Sequence, residues 1–125
     1  MQDFKDLKVW EKAHSMTIGV YQATSRFPRS EEFGLRSQVR RASASIPANI
    51  AEGCGRGSQK EFAQFLHVAL GSTNELEYHL ILARDLGYLP TDSHQTLDIQ
   101  VAEVRRMLAR LVARVRDSTQ IARPS

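Results

Sequence analysis

The sequence predicts an all-α fold, an antiparallel up-down-up-down four-helix bundle with a proline kink in helix 2. Three observations carry this expectation. Apolar residues recur at three- and four-residue steps through four successive segments, strand-type alternation is absent, and short stretches rich in glycine and proline separate the segments.

The first amphipathic segment runs from about Leu7 to Arg26, with Trp10, Ala13, His14, Thr17, Ile18, Tyr21 and Thr24 read as its core stripe. Proline disfavours helical geometry at the residue before it, so Phe27, ahead of Pro28, marks the boundary. Residues 29–34 read as a connecting loop. Leu35, Val39, Ala42, Ile46 and Ile50 then form a stripe that passes straight across Pro47. A proline inside a helix removes one donor and crowds the carbonyl four residues back, here that of Ser43. The unbroken stripe favours one kinked helix, with a restart at Pro47 as the alternative.

Three glycines in Gly53-Cys54-Gly55-Arg56-Gly57 stop the second helix. Ser58 and Glu61 have the spacing of a capping box, which starts a third helix with the stripe Phe62, Phe65, Leu66, Ala69, Leu70, Thr73, Leu76, Leu80 and Ala83. It closes at Gly87, ahead of Pro90. Thr91 or Asp92 can cap the fourth helix, where Leu97, Val101, Val104, Leu108, Leu111 and Val115 alternate steps of four and three as in a bundle seam. The tail 118–125 is expected to fray.

A chain of 125 residues makes one domain, 1–125, and its 42% hydrophobic and 25% charged content is that of an ordinary globular protein. No apolar run approaches the roughly 20 residues that span a bilayer, and the first residues lack the basic-then-apolar order of a signal peptide. A cytoplasmic protein with no membrane partner is expected. The single cysteine, Cys54, has no intrachain partner.

The formal charge is only +3, but it is unevenly placed. Residues 26–60 carry Arg26, Arg29, Arg36, Arg40, Arg41, Arg56 and Lys60 against Glu31, Glu32 and Glu52. Residues 61–91 carry Arg84 against Glu61, Glu75, Glu77 and Asp85. From residue 92 onward arginine dominates again. Two readings compete: complementary faces that pair within or between subunits, and a basic surface offered to a polyanion.

Residues that could carry chemistry do not assemble into a site. The four histidines, His14, His67, His79 and His94, read as surface or half-buried, because a bundle di-metal centre needs two Glu-x-x-His pairs and Glu75 with His79 is a single pair at a spacing of four. No metal or cofactor is expected. A thiol beside Arg56 could have a lowered pKa, yet Cys54 has no histidine near it in sequence and reads as structural. Gly53-x-Gly55-x-Gly57 lacks the preceding strand and the Lys-Ser/Thr pair of a phosphate loop. Asn49 and Glu52 read as polar fasteners beside Pro47, with Asn49 available to the carbonyl that Pro47 frees. Arg40 and Arg41 point about 100° apart on a helix, so one at most shares the core edge or reaches Glu75 and Glu77. The other is left for a subunit partner or a phosphate. Gly71-Ser72 in the third helix reads as a place of close helix approach.

Several motifs occur together and in order: Phe4-Lys5-Asp6-Leu7-Lys8-Val9-Trp10, Phe27-Pro28, Gly34-Leu35 with Gln38-Val39-Arg40-Arg41-Ala42, Ser45-Ile46-Pro47-Ala48-Asn49-Ile50-Ala51-Glu52-Gly53, and Gly71-Ser72 with Glu75-Leu76-Glu77. Over roughly residues 3–89 the chain resembles the bacterial four-helix-bundle proteins encoded in intervening sequences of 23S ribosomal RNA genes. That family is also similar to the accessory protein of diversity-generating retroelements, which binds nucleic acid and a reverse transcriptase. The resemblance implies a ring-like homopentamer, with RNA or DNA and a reverse transcriptase or other protein as partners; no enzyme is expected, because the motifs assemble no nucleophile, base and orienting group. Onto that implication the residues place Arg36, Arg40, Arg41 and Arg56 as first candidates for phosphate contact, and Pro47, Asn49, Glu52, Glu75 and Glu77 as structural or interface candidates. The alternative is a protein-interaction or scaffolding oligomer in which Arg40 and Arg41 meet Glu75 and Glu77 across subunits.

Overall fold

In the computed structural model, which describes residues 2–122 and the side chains of 2–118, four helices account for most of the chain and no strand occurs among the described residues. They are α1 (Lys8–Thr24), α2 (Leu35–Cys54), α3 (Gln59–Asp85) and α4 (Thr91–Ala122). A 3₁₀ turn at Phe4–Asp6 precedes α1, capped by the Asp3 carboxylate, and a second at Arg29–Glu31 lies within the expected loop. The segment expected to fray begins inside α4, and its last residues, 123–125, lie outside the described residues. No described helix is long and apolar enough to cross a membrane.

The phase of α1 differs from the expected stripe. Its buried residues are Val9, Ala13, Met16, Val20 and Thr24. His14 is exposed, and Ile18 and Tyr21 are 47% and 42% exposed. Aliphatic side chains at steps of four and three fill the narrow bundle interior, and the aromatics, displaced around the helix by about 100°, lie on its flank. In α2 the stripe Leu35, Val39, Ala42, Ile46 and Ile50 is wholly buried, and one helix runs across Pro47 without a restart.

Pro47 leaves the Ser43 carbonyl without its helical donor. The Thr17 hydroxyl of α1 lies 3.0 Å from that oxygen and 2.8 Å from the Ala13 carbonyl, so its one proton is shared between the two. The expected donor, Asn49, instead reaches the Ser45 carbonyl at 2.7 Å and the Ser45 hydroxyl at 3.0 Å. Ser45 in turn meets Ser72 of α3 at 2.8 Å. Further along α2, a Cβ added to Gly53 would lie 2.8 Å from Phe62 and 3.0 Å from Phe65, so the lack of a side chain there sets the approach of α3.

Ser58 caps α3 by accepting from the Glu61 backbone at 3.2 Å, while the Glu61 carboxylate comes to 3.4 Å from the Ser58 hydroxyl. Its far end closes with Gly87 at φ 81°. There the Tyr88 and Gly87 backbone N–H groups donate to the Ala83 and Arg84 carbonyls, the two bonds of a Schellman motif. At about 1.5 Å per residue α3 is on the order of 40 Å long. The seam of α4, Leu97, Val101, Val104, Leu108, Leu111 and Val115, is buried throughout.

Each helix packs on two others: α1 on α2 and α4, α3 on α2 and α4. The α1–α2 and α3–α4 connections touch through Phe27 and Tyr88, whose rings are 5.8 Å apart, and through Glu31. One oxygen of that carboxylate accepts from the Leu35 backbone and the other from the Tyr88 phenol, which holds the phenol pKa above its ordinary value. Gly71 has nothing within 4 Å of its added Cβ and is exposed, so of the Gly71-Ser72 pair Ser72 alone makes the helix contact.

Two expectations about stability follow from these positions. Gly71→Ala should raise unfolding free energy by about 0.5–1 kcal/mol, the difference between the two residues in an open helix interior, whereas Gly53→Ala should lower it by about 1–3 kcal/mol through overpacking against Phe62 and Phe65; urea denaturation of both variants measures the opposite signs. Thr17→Val should cost about 1–3 kcal/mol by leaving the buried Ser43 carbonyl unpaired, and Thr17→Ser should restore most of it.

Candidate nucleic-acid interface

Of the four arginines expected to meet phosphate, two are neutralised within the chain. Arg36 lies 3.3 Å from Glu32 with a side chain only 20% exposed. Arg56 lies 2.6 Å from Glu52, one turn away, and 4.7 Å over the Phe65 ring. Glu52 is accordingly an exposed helix-surface partner and not an internal fastener.

Arg40 is anchored on α1. Its Nε donates to the Thr24 hydroxyl at 2.8 Å, its Nη2 donates to the Tyr21 carbonyl at 3.0 Å, and its plane lies 4.7 Å from the Tyr21 ring centre. It thereby adds a donor to a carbonyl in the last turn of α1 that otherwise has the Thr24 hydroxyl at 3.3 Å. No carboxylate pairs with it among the described residues. Arg41, about 100° further round, is exposed and makes no hydrogen bond or ion pair among the described residues. It lines a groove between α2 and α3 with Gln38, Ala42, Ser45, Glu75 and His79.

The acidic candidates separate in the same way. Glu77 is held by α4, its Oε1 lying 2.9 Å from Arg105 Nη2, an ion-pair distance without hydrogen-bond alignment. Arg105 Nε also donates to Asn74 at 3.2 Å. Glu75 stays largely exposed in the Arg41 groove, 3.5 Å from His79 Nε2. His79 and His94 are both buried, more deeply than the surface or half-buried positions expected, and His79 has no hydrogen-bond partner at either ring nitrogen among the described residues. The 3.5 Å approach to Glu75 is too long and too poorly directed to count as one. No three metal-ligating side chains come together among the described residues. Cys54 is buried; burial, and secondarily the charge of Asp3, push its thiol pKa up, so proximity to Arg56 does not activate it.

A basic surface lies elsewhere, in a groove between the start of α1 and the second half of α4, where Arg110 Nε donates to the Arg106 carbonyl at 3.4 Å. Its floor is Leu7, Val9, Met107 and Leu111, and its rim carries Lys8, Arg106, Arg110 and Arg114. The three arginines stand one turn apart, a row about 12 Å long. None of them pairs with a carboxylate; of the two acidic residues that line the groove, Glu103 lies 3.3 Å from Lys12 of α1 and Asp6 makes no ion pair among the described residues. The four-residue spacing of Arg106, Arg110 and Arg114, off the heptad seam, is visible in the sequence. Their placement against Lys8 is not, because it depends on α1 and α4 becoming neighbours.

Comparison with known proteins agrees with the fold. A crystal structure at 1.70 Å of a protein with unknown function from the S23 ribosomal protein family of Bacteroides thetaiotaomicron VPI-5482 superposes with a TM-score of 0.76 at 25% identity, over 84% of this chain and 95% of that one. No curated protein matches. The family model described as 23S rRNA-intervening sequence protein matches residues 5–110, and the chain therefore belongs to that family.

Proposed function

We propose that the protein is a non-enzymatic nucleic-acid-binding accessory protein that works as a homopentameric ring in the cytoplasm, with a reverse transcriptase or another protein as a further partner. The observation that carries the nucleic-acid reading is the row Arg106, Arg110 and Arg114 facing Lys8, cationic groups with no carboxylate partner in one groove. Guanidinium groups bind phosphate oxygens in pairs of hydrogen bonds, and every phosphate neutralised releases counterions. Arg40 and Arg41 lie on α2, which does not contact α4, and are separate from this groove, while Arg36 and Arg56 are already compensated. The buried thiol of Cys54, its pKa raised, fits an absence of nucleophilic chemistry.

In this reading the helices run up-down-up-down. Contacts between neighbours pair rising with falling residue numbers, Thr17 with Ser43 and Thr24 with Arg40, His67 with Arg116 and Glu77 with Arg105, which supports it. A kink of α2 at Pro47 is supported by the Ser43 carbonyl turning to Thr17. The ring is carried over from the family likeness.

The charge-reversed triple variant Arg106→Glu/Arg110→Glu/Arg114→Glu should bind RNA at least about tenfold more weakly than the parent, with a log-affinity against log-salt slope shallower by about 2. Unchanged affinity and slope in a filter-binding titration would remove the α4 surface from consideration. A second reading, a scaffold whose subunits pair Arg41 with Glu75, is favoured by the exposed, unpaired Arg41 beside Glu75. For that reading, Arg41→Glu should lower the assembled mass in sedimentation while leaving helicity unchanged, and a mass that does not move counts against it.

A further inference from the structure

One flank of α1 carries a row of rings that runs from Phe4 and Trp10, partly buried against the core, to His14 and Tyr21, which are exposed. Trp10 and His14, one turn apart, have ring centroids 5.0 Å apart and planes within 6° of parallel. Phe4 closes on Trp10 at 5.0 Å and 63°, edge to face. Two turns further along, Tyr21 lies under the Arg40 guanidinium. The interior of this stretch is filled by Val9, Ala13, Met16 and Val20 instead, all buried. His14 is exposed, and its imidazole makes no hydrogen bond or ion pair among the described residues; its contact is the stack on Trp10.

The geometry points to a stacking site for unpaired bases of single-stranded nucleic acid along this flank of α1, with the Trp10–His14 pair as the platform and Arg40 as the fixed cation beside it. It rests on the nucleic-acid reading above and adds the form of nucleic acid and the surface that reads it. Every base presents a π-face, so an aromatic pair that extends outward by an exposed ring accepts any base that is not already stacked and paired in a duplex. Arg40 suits the neighbouring position because two hydrogen bonds hold its plane over Tyr21, so it is ordered before any ligand arrives. From residue 10 to residue 21 the helix rises about 16 Å, the length of on the order of five nucleotides of one stacked strand. A purely structural role explains Phe4 edge-on to Trp10, but not an exposed imidazole laid flat on the outer ring.

Trp10 is the only tryptophan in the chain, so its emission reports the site directly. Titrating the protein with a short oligouridylate should quench Trp10 fluorescence, and a fully paired RNA hairpin of similar charge should bind without quenching. His14→Ala, an exposed substitution, should weaken the single strand about fivefold or more, leaving hairpin affinity and circular dichroism unchanged. Salt-dependent binding of the oligouridylate with Trp10 emission unmoved and His14→Ala neutral would overturn the stacking site and leave the α4 surface standing. Absence of binding by either nucleic acid would overturn both.

Discussion

The carbonyl of Ser43 is where the architecture of α2 is decided. Pro47 cannot donate to it, and a buried backbone oxygen without a donor costs about 1–3 kcal/mol. The Thr17 hydroxyl supplies the bond from another helix, which requires α1 to sit against α2 at this height and in this rotation. Arg40, one turn before Ser43, then ties the last turn of α1 to the same helix through Tyr21 and Thr24. On the opposite side of α2, Asn49, Ser45 and Ser72 form a short polar chain to α3, and Gly53 lets the Phe62 and Phe65 side chains come close. Hydrophobic burial drives the helices together without specifying their register. These directional contacts on both flanks of α2 supply the register.

Such a helix has little charge to spare. Arginine is suited to tying elements together because its five donors are fixed in a plane, and α2 uses its arginines largely that way. Arg40 caps α1, Arg36 meets a carboxylate four residues away, and Arg56, just past the end of α2, meets another at the same spacing. The last of these pairs is exposed, where an ion pair contributes about 0–1 kcal/mol, so its stacking on Phe65 matters at least as much as its charge. The arginines of α4 stand differently. Arg105 and Arg116 reach α3, whereas Arg106, Arg110 and Arg114 stand over an apolar floor beside Lys8 without carboxylates. The division between arginines that hold the bundle and arginines that face outward thus falls between helices as well as within them.

Much of this fold was legible in the chain itself. The α4 seam, the α2 stripe across Pro47, the Ser58 cap and the Gly87 stop each depend on residues a few positions apart, and each occurs in the structure. The phase of α1 was not legible, because aliphatic and aromatic residues offer two stripes about 100° apart and only packing chooses the narrower side chains for the interior. Nor was the donor for Ser43, since Thr17 is 26 residues away and Asn49 is local. The candidate site suffered most. Charge counts identify basic segments; the partners of Arg36 and Arg56 are four residues away and were available in the sequence, whereas whether Arg106 is compensated depends on the carboxylates that folding places in its groove. The burial of His79 and His94 did leave a periodic trace, since His94 stands three residues before Leu97 on the α4 seam and His79 three after Leu76 and four before Ala83, but residue type alone reads a histidine as a surface group.

The ambiguity of α1 is itself informative about function. Phe4 and Trp10 of this second face pack against the core, while His14 and Tyr21 stay exposed, and exposed rings favour association. Here the rings are not scattered: Trp10 touches both Phe4 and His14, and Tyr21 is covered by the guanidinium of Arg40, an α2 residue hydrogen-bonded to α1. The same Arg40 therefore serves the fold through its hydrogen bonds and the surface through its plane, which joins the register of α1 on α2 to the layout of this flank. On the other flank of α1, Lys8 faces the α4 arginines. Helix α1 thus separates an aromatic surface from a basic one, and its rotation, fixed by Thr17 and Arg40, determines which side chains each surface receives.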